Sequence, residues 1–190
     1  MNTSVMIVGV GGQGTLLASR ILGNVAIKCG YDVKVSEVHG MSQRGGSVVT
    51  YVKYGKVVSS PIINKGESDV ILAFEKLEAI RALPFLKIGG KIILNDREIA
   101  PMPVITGACP YPQGIVEELS SKASVTSLDA LKISLEAGSI KAVNVVLIGV
   151  LAKTMSIEKQ VWLEVIKEAV PPKFLELNLK AFELGYSYDG

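Results

Sequence analysis

Two glycine-rich stretches hold the residue types from which chemistry could be built. The first, Gly9-Val10-Gly11-Gly12-Gln13-Gly14, satisfies G-x-G-x-x-G between a short apolar run and a segment of helical periodicity. Glycines there let the backbone approach a phosphate closely, and the free amides of a helix start favour an anion. Glu37 follows 23 positions after Gly14, where a dinucleotide fold carries its ribose-binding acid. These two features suit a stand-alone NAD(P)- or FAD-dependent oxidoreductase; a tight strand–helix turn that binds no ligand is the lesser alternative. The second stretch sets Ser42, Gln43 and Arg44 among Gly40, Gly45 and Gly46, a composition with little core-building value. The planar fork of Arg44 matches a carboxylate or phosphate, and Ser42 and Gln43 would add orienting hydrogen bonds. His39, taken by itself, reads as structural before catalytic.

The elements that must position these loops alternate between strand and helix. Val5-Met6-Ile7-Val8 reads as a central parallel strand buried on both faces. Thr15 to Lys28 places Leu17, Ile21, Leu22 and Val25 at helical spacing, with Gly30 as a left-handed cap. Asp32 to Glu37 is a second strand. The glycine-rich loop that follows leads into Ser47 to Tyr54, which we read as one arm of a hairpin. Tyr54-Gly55-Lys56 would be its tip and Lys56 to Ser59 its second arm. Parallel topology then resumes: strand 69–74, helix 75–86, a Gly89-Gly90 turn, strand 91–95, a strand at Val104 to Ala108, helix 115–121, an extended piece at 124–127 and helix 128–137. Three helices finish the chain at 141–154, 157–170 and 173–184, the last two separated by Pro171-Pro172. The expected fold is α/β: a three-layer α/β/α single domain over 1–190, with a mostly parallel Rossmann-like sheet, an inserted hairpin and a helical C-terminal part.

Composition narrows the function classes. The 190 residues carry 20 Lys+Arg against 18 Asp+Glu, so no basic stripe suggests nucleic acid. The mean hydropathy of +0.38 is high, yet the apolar run Val143 to Ala152 falls short of the roughly 20 residues that cross hydrocarbon. No basic leader precedes the first strand, so the expectation is a cytoplasmic protein with an apolar interface and no membrane partner. Cys29 and Cys109 are the only cysteines, too few for a four-thiolate cluster, and the single histidine excludes a multi-histidine metal site. Both cysteines read as reduced, inert core or helix residues. Asn144, polar within an apolar helical run, reads as a buried hydrogen-bonding residue.

Taken together, Gly9 to Gly14 and Glu37-Val38-His39-Gly40-Met41-Ser42-Gln43-Arg44-Gly45-Gly46-Ser47-Val48 resemble the small, gamma-type subunits of the 2-oxoacid:ferredoxin oxidoreductases. The likeness continues through Ser60 to Ile63, Asp69 to Glu75, Ala142 to Leu147 and Pro171 to Glu183, nearly the whole chain. It is nearest to the indolepyruvate-specific branch; the gamma subunits of pyruvate and 2-oxoglutarate enzymes carry related motifs. The resemblance implies a share in coenzyme A-dependent oxidative decarboxylation of an aryl pyruvate to the arylacetyl-CoA, with reduction of ferredoxin. It places thiamine diphosphate, Mg and the iron–sulfur clusters in a large alpha subunit, with none held by this chain and no catalytic residue here acting alone. The residue inventory agrees. Such chemistry needs an electron sink and a one-electron relay, and the chain lacks both the cysteines and a Gly-Asp-Gly…Asn-Asn diphosphate motif. On this reading Gly9, Gly11, Gly12, Gln13, Gly14, Ser42, Gln43, Arg44, Gly45 and Gly46 form an anion-friendly wall toward the partner's active site. A purely structural subunit, its glycines serving only close packing, is the remaining alternative.

Overall fold

A computed structural model describes residues 2–37 and 45–189. Six strands form one sheet: β1 (Thr3–Val10), β2 (Asp32–Glu37), β3 (Ser47–Gly55), β4 (Ser68–Ala73), β5 (Leu86–Asn95) and β6 (Ser124–Leu128), in the order β2-β3-β1-β4-β5-β6. β1, β4, β5 and β6 pair in parallel, and β3 runs antiparallel to both β1 and β2.

The alternation of side chains along β1 makes the three layers. Val5 and Ile7 point to one face, where they meet α1 (Thr15–Lys28), α5 (Ala130–Ala137), α6 (Val143–Lys153), α7 (Lys159–Ala169) and α8 (Leu175–Tyr186). Met6 and Val8 point to the other, under α2 (Lys76–Ala82) and α4 (Ile115–Ser120). The apolar run 143–152 is α6, buried along nine consecutive residues from Asn144 to Ala152. It crosses α8 so closely at Gly149 and Gly185 that a Cβ on either would collide with a backbone carbonyl oxygen of the other helix. The high hydropathy therefore reflects a helix enclosed by protein, and no described helix is long and apolar enough to cross a membrane.

Several local expectations change. Residues 56–59 form no strand; β3 instead inserts between β2 and β1, so the antiparallel unit is β2 with β3 across the 38–46 segment. Val104 to Ala108 is not extended. Met102–Ile105 is a one-turn helix, α3, because Pro101 and Pro103 fix φ and leave no ladder donor, while Pro101 O accepts from the Val104 and Ile105 amides. Gly89-Gly90 lies within β5, where the register against β4 slips between Ser68 and Val70. Cys29 and Cys109 are both free thiols but exposed, not core. Cys29 caps α1, whose Tyr31 N–H to Ala26 O and Gly30 N–H to Ile27 O bonds close a Schellman motif around Gly30 at φ 80°.

Candidate functional site at the glycine loop

β1 ends at Val10 and hands over to the loop that opens α1. Gly9 has no room for a side chain: a Cβ would lie 2.8 Å from Gln13 Oε1 and 2.9 Å from Phe74 Cβ. Gly14, the N-cap at φ 85°, would collide with Asn144 Nδ2 at 2.7 Å. Gly12 differs, since its φ of 100° demands glycine while nothing lies within 4 Å of a Cβ there. Two of these glycines thus serve packing and one faces open space. The second loop arrives beside the first, with Gly11 N–H donating to Gly46 O at 2.9 Å and Gly45 N–H to Gly11 O at 3.3 Å. His39, Gly40, Ser42, Gln43 and Arg44 lie outside the described residues.

Gln13 is used from within. Its Oε1 accepts from Val10 N–H at 2.7 Å and its Nε2 donates to Phe74 O at 3.0 Å. The same Phe74 carbonyl accepts from Asn95 Nδ2 at 3.1 Å, and Asn95 Oδ1 accepts from Ala130 N–H at 3.1 Å. This chain of amides ties together the carboxyl ends of β1, β4 and β5 and the start of α5. It crosses the carboxyl ends of β1 and β4, where an open α/β sheet ordinarily receives its ligand. Asn144 is buried, its Nδ2 donating to Gly14 O at 3.3 Å.

Two clefts remain on either side of the loop. On the β3 side a cavity of about 300 Å³ is lined by Gly11, Gly12, Gly14, Thr15, Leu16, Val48 and Thr50. Thr15 and Thr50 are only 7% and 3% exposed, and neither hydroxyl has a hydrogen-bond partner among the described residues. No carboxylate occupies the first turn of α1, whose leading amides stay available to an anion. On the α5 side a cavity of about 440 Å³ is bordered by Gly12, Gln13, Asn95, Leu131, Arg97 and Lys141. Its two cations are exposed and form no ion pair among the described residues. Residue types and spacing pointed to the glycines. They gave no sign of Thr50, which reaches the loop only because β3 pairs with β1, or of Arg97 and Lys141, which come from distant connections.

Glu37 is not placed to grip a ribose beside this loop. Its Oε1 lies 2.9 Å from Ser19 Oγ, and β3 separates β2 from β1, so it stands two strand spacings from β1, roughly 10 Å. A fully buried carboxylate, Glu75, accepts from Glu78 N–H at 3.0 Å, from Ile99 N–H at 3.1 Å and from the Tyr111 hydroxyl. Burial, and then the Glu75 carboxylate beside it, push the Tyr111 phenol well above its ordinary range.

Over residues 4–188 the sequence matches the family model described as pyruvate ferredoxin/flavodoxin oxidoreductase. The chain belongs to this family. The indolepyruvate oxidoreductase subunit IorB of Thermococcus kodakarensis is 46% identical over 96% of this chain and 93% of its own length. The subunit of the same name from Methanothermobacter thermautotrophicus is 40% identical over 98% and 97%. Among solved structures, the pyruvate oxidoreductase subunit PORC of Thermotoga maritima superposes with a TM-score of 0.76 at 17% identity, over 97% of this chain and 95% of that one. A 2-oxoglutarate:ferredoxin oxidoreductase from Magnetococcus marinus matches 98% of this chain with 30% of its own, at TM-score 0.74 and 17% identity. The family's fold therefore occurs both as a separate subunit and as one part of a longer polypeptide.

Proposed function

We propose that this chain is the small subunit of an indolepyruvate:ferredoxin oxidoreductase, contributing to coenzyme A-dependent conversion of an aryl pyruvate to its arylacetyl-CoA with reduction of ferredoxin. The near full-length identity of 46% to a subunit of that name carries the reading. On this proposal a large companion subunit in the cytoplasm holds thiamine diphosphate, Mg and the iron–sulfur clusters, which supply the electron sink and the one-electron relay. With two cysteines, both exposed, this chain is no candidate for the relay.

Its own contribution is a wall for an anion. The Gly12 amide and those of the first turn of α1 offer donors that need no side-chain ordering, while the Gly11 amide is spent on Gly46 O. Thr15 and Thr50 add hydroxyls on one flank, and Arg97 and Lys141 add positive charge on the other. The diphosphate and phosphate groups of coenzyme A suit such a surface. Gly45 and Gly46 hold the second loop against the first, and Ser42, Gln43 and Arg44 would extend the wall. The test is turnover with indolepyruvate, coenzyme A and ferredoxin. The isolated chain should be colourless and inactive and the reconstituted complex active, with Arg44→Ala raising the apparent KM for coenzyme A. Turnover by the isolated chain, or tight binding of NADH by it, would overturn the proposal.

A further inference from the structure

Between β5 and α4 the chain leaves the carboxyl edge of the sheet, the edge from which the glycine loop also emerges. Ile99 to Val116 is 18 residues without a charge, where the chain average of 20% would place three or four. Twelve of the sixteen residues 99–114 are exposed and none is buried, with Met102 at 68% and Ile105 at 67%. A solvated loop is ordinarily polar and mobile. This one is held internally: Pro101 O accepts from Val104 and Ile105, Pro103 O accepts from Ala108, and Met102 O accepts from Thr106. Four prolines, at 101, 103, 110 and 112, further restrict its backbone. Its two feet are clamped by one buried group, the Glu75 carboxylate, which accepts from Ile99 N–H and from the Tyr111 hydroxyl.

The charges around its base complete the picture. Asp96 and Glu98 stand at one foot, sharing Lys76 at 3.0 and 2.8 Å. At the other foot Glu118 pairs with Lys122 at 2.6 Å, while Glu117 has no ion pair among the described residues. With the exposed Arg97 between Asp96 and Glu98, the collar holds four carboxylates to three cations. The lobe is thus an apolar tip within a charged rim of slight negative excess, the arrangement of an interface anchor inside a polar rim.

We propose that this preorganised lobe, 99–113, is a docking anchor for the companion subunit, its Met102/Ile105 tip entering an uncharged apolar socket rimmed by lysine or arginine. The inference rests on the reading of this chain as part of a hetero-oligomeric enzyme. It adds which surface makes the contact and what chemistry receives it. Docking there turns the carboxyl edge of the sheet, and so the glycine loop, toward the partner.

The test measures binding of the purified chain to the purified large subunit of the same enzyme. M102D/I105D should leave the isolated chain's circular dichroism and Tm unchanged, because both side chains are largely in solvent, and weaken binding about tenfold or more. E117K should weaken binding at low salt and much less at high salt. Equal affinity of M102D/I105D and wild type would overturn the lobe proposal while leaving the functional reading intact. Self-association of the wild type that M102D/I105D abolishes would assign the tip to a second copy and overturn it as well. Failure of the wild type to bind the large subunit at all would defeat the functional reading and this inference together.

Discussion

Gln13 offers a direct choice between a ligand and a structural staple. Its side chain answers Val10 N–H at 2.7 Å and Phe74 O at 3.0 Å, and Val10 is only 8% exposed. Gln13→Ala leaves that amide without an acceptor, which costs about 1–3 kcal/mol. Phe74 O keeps Asn95 as a donor, so little more is lost on that side. A net loss of about 2 kcal/mol in a chain of this size lowers Tm by roughly 4–8 °C. Gln13→Glu retains the acceptor for Val10 but turns a carboxylate oxygen toward Phe74 O. A proton on that carboxyl restores the donor, so the folded state raises its pKa. The penalty is therefore smallest at acid pH and grows as pH rises through the raised value. The assay is thermal unfolding of the isolated chain, with hydrogen exchange at the Val10 amide. A Tm within 1 °C of wild type and an equally protected Val10 amide would refute the staple and return Gln13 to the list of ligand contacts.

Two further outcomes test the cleft and the sheet edge. Thr50→Val exchanges a hydroxyl without a hydrogen-bond partner among the described residues for an apolar group of the same shape. The isolated chain should be unchanged or stabilised by up to about 1 kcal/mol, while the assembled enzyme shows an apparent KM for coenzyme A raised roughly tenfold; a destabilised chain with normal kinetics would reverse the assignment. Asp32 has its pKa held below 3.8, first by the Lys34 ammonium and then by Val58 N–H at 2.8 Å. A depressed folded pKa gives stability that is full above the unfolded value and lost as pH falls through the folded one. Asp32→Asn should therefore reduce the loss of stability below about pH 4, measured as Tm against pH.

The helices and the parallel strands were legible because their signals are local. α1 runs over Thr15–Lys28 as its periodicity indicates, since Gly14 and Gly30 bound it at both ends. The place of β3 was not legible. Alternating residues in 47–54 say that the segment is a strand, but not which neighbour it takes, and its partners come from residues up to about 50 positions away. Val104 to Ala108 misled because β-branched and apolar residues suggest a strand, whereas Pro101 and Pro103 remove donors that a ladder needs. In the glycine loop, sequence alone could not divide the work. Gly9 and Gly14 are small for packing against Phe74 and Asn144, whereas Gly12 has open space before it. Gln13 carries the right atoms for a ligand contact and spends them on its own backbone.

The interposed strand decides where a ligand can approach. In a dinucleotide fold the acid after β2 stands next to β1 and the ligand lies along the crevice at the topological switch point. Here β3 takes the position beside β1, and the Gln13 and Asn95 amides are bound to Phe74 O across the carboxyl ends of β1, β4 and β5. The ribose-gripping acid of nicotinamide or flavin binding is therefore displaced while the glycine loop itself survives. What β3 brings in exchange is Thr50, placed opposite Ile7 and facing the same layer as the start of α1. On the functional proposal above, a phosphate-bearing ligand would come over β3, where Thr15, Thr50 and the amides of the first turn of α1 line one cleft. That route needs no second nucleotide half. On the same proposal, it explains how a loop with a dinucleotide signature can serve a subunit that leaves redox chemistry to its companion.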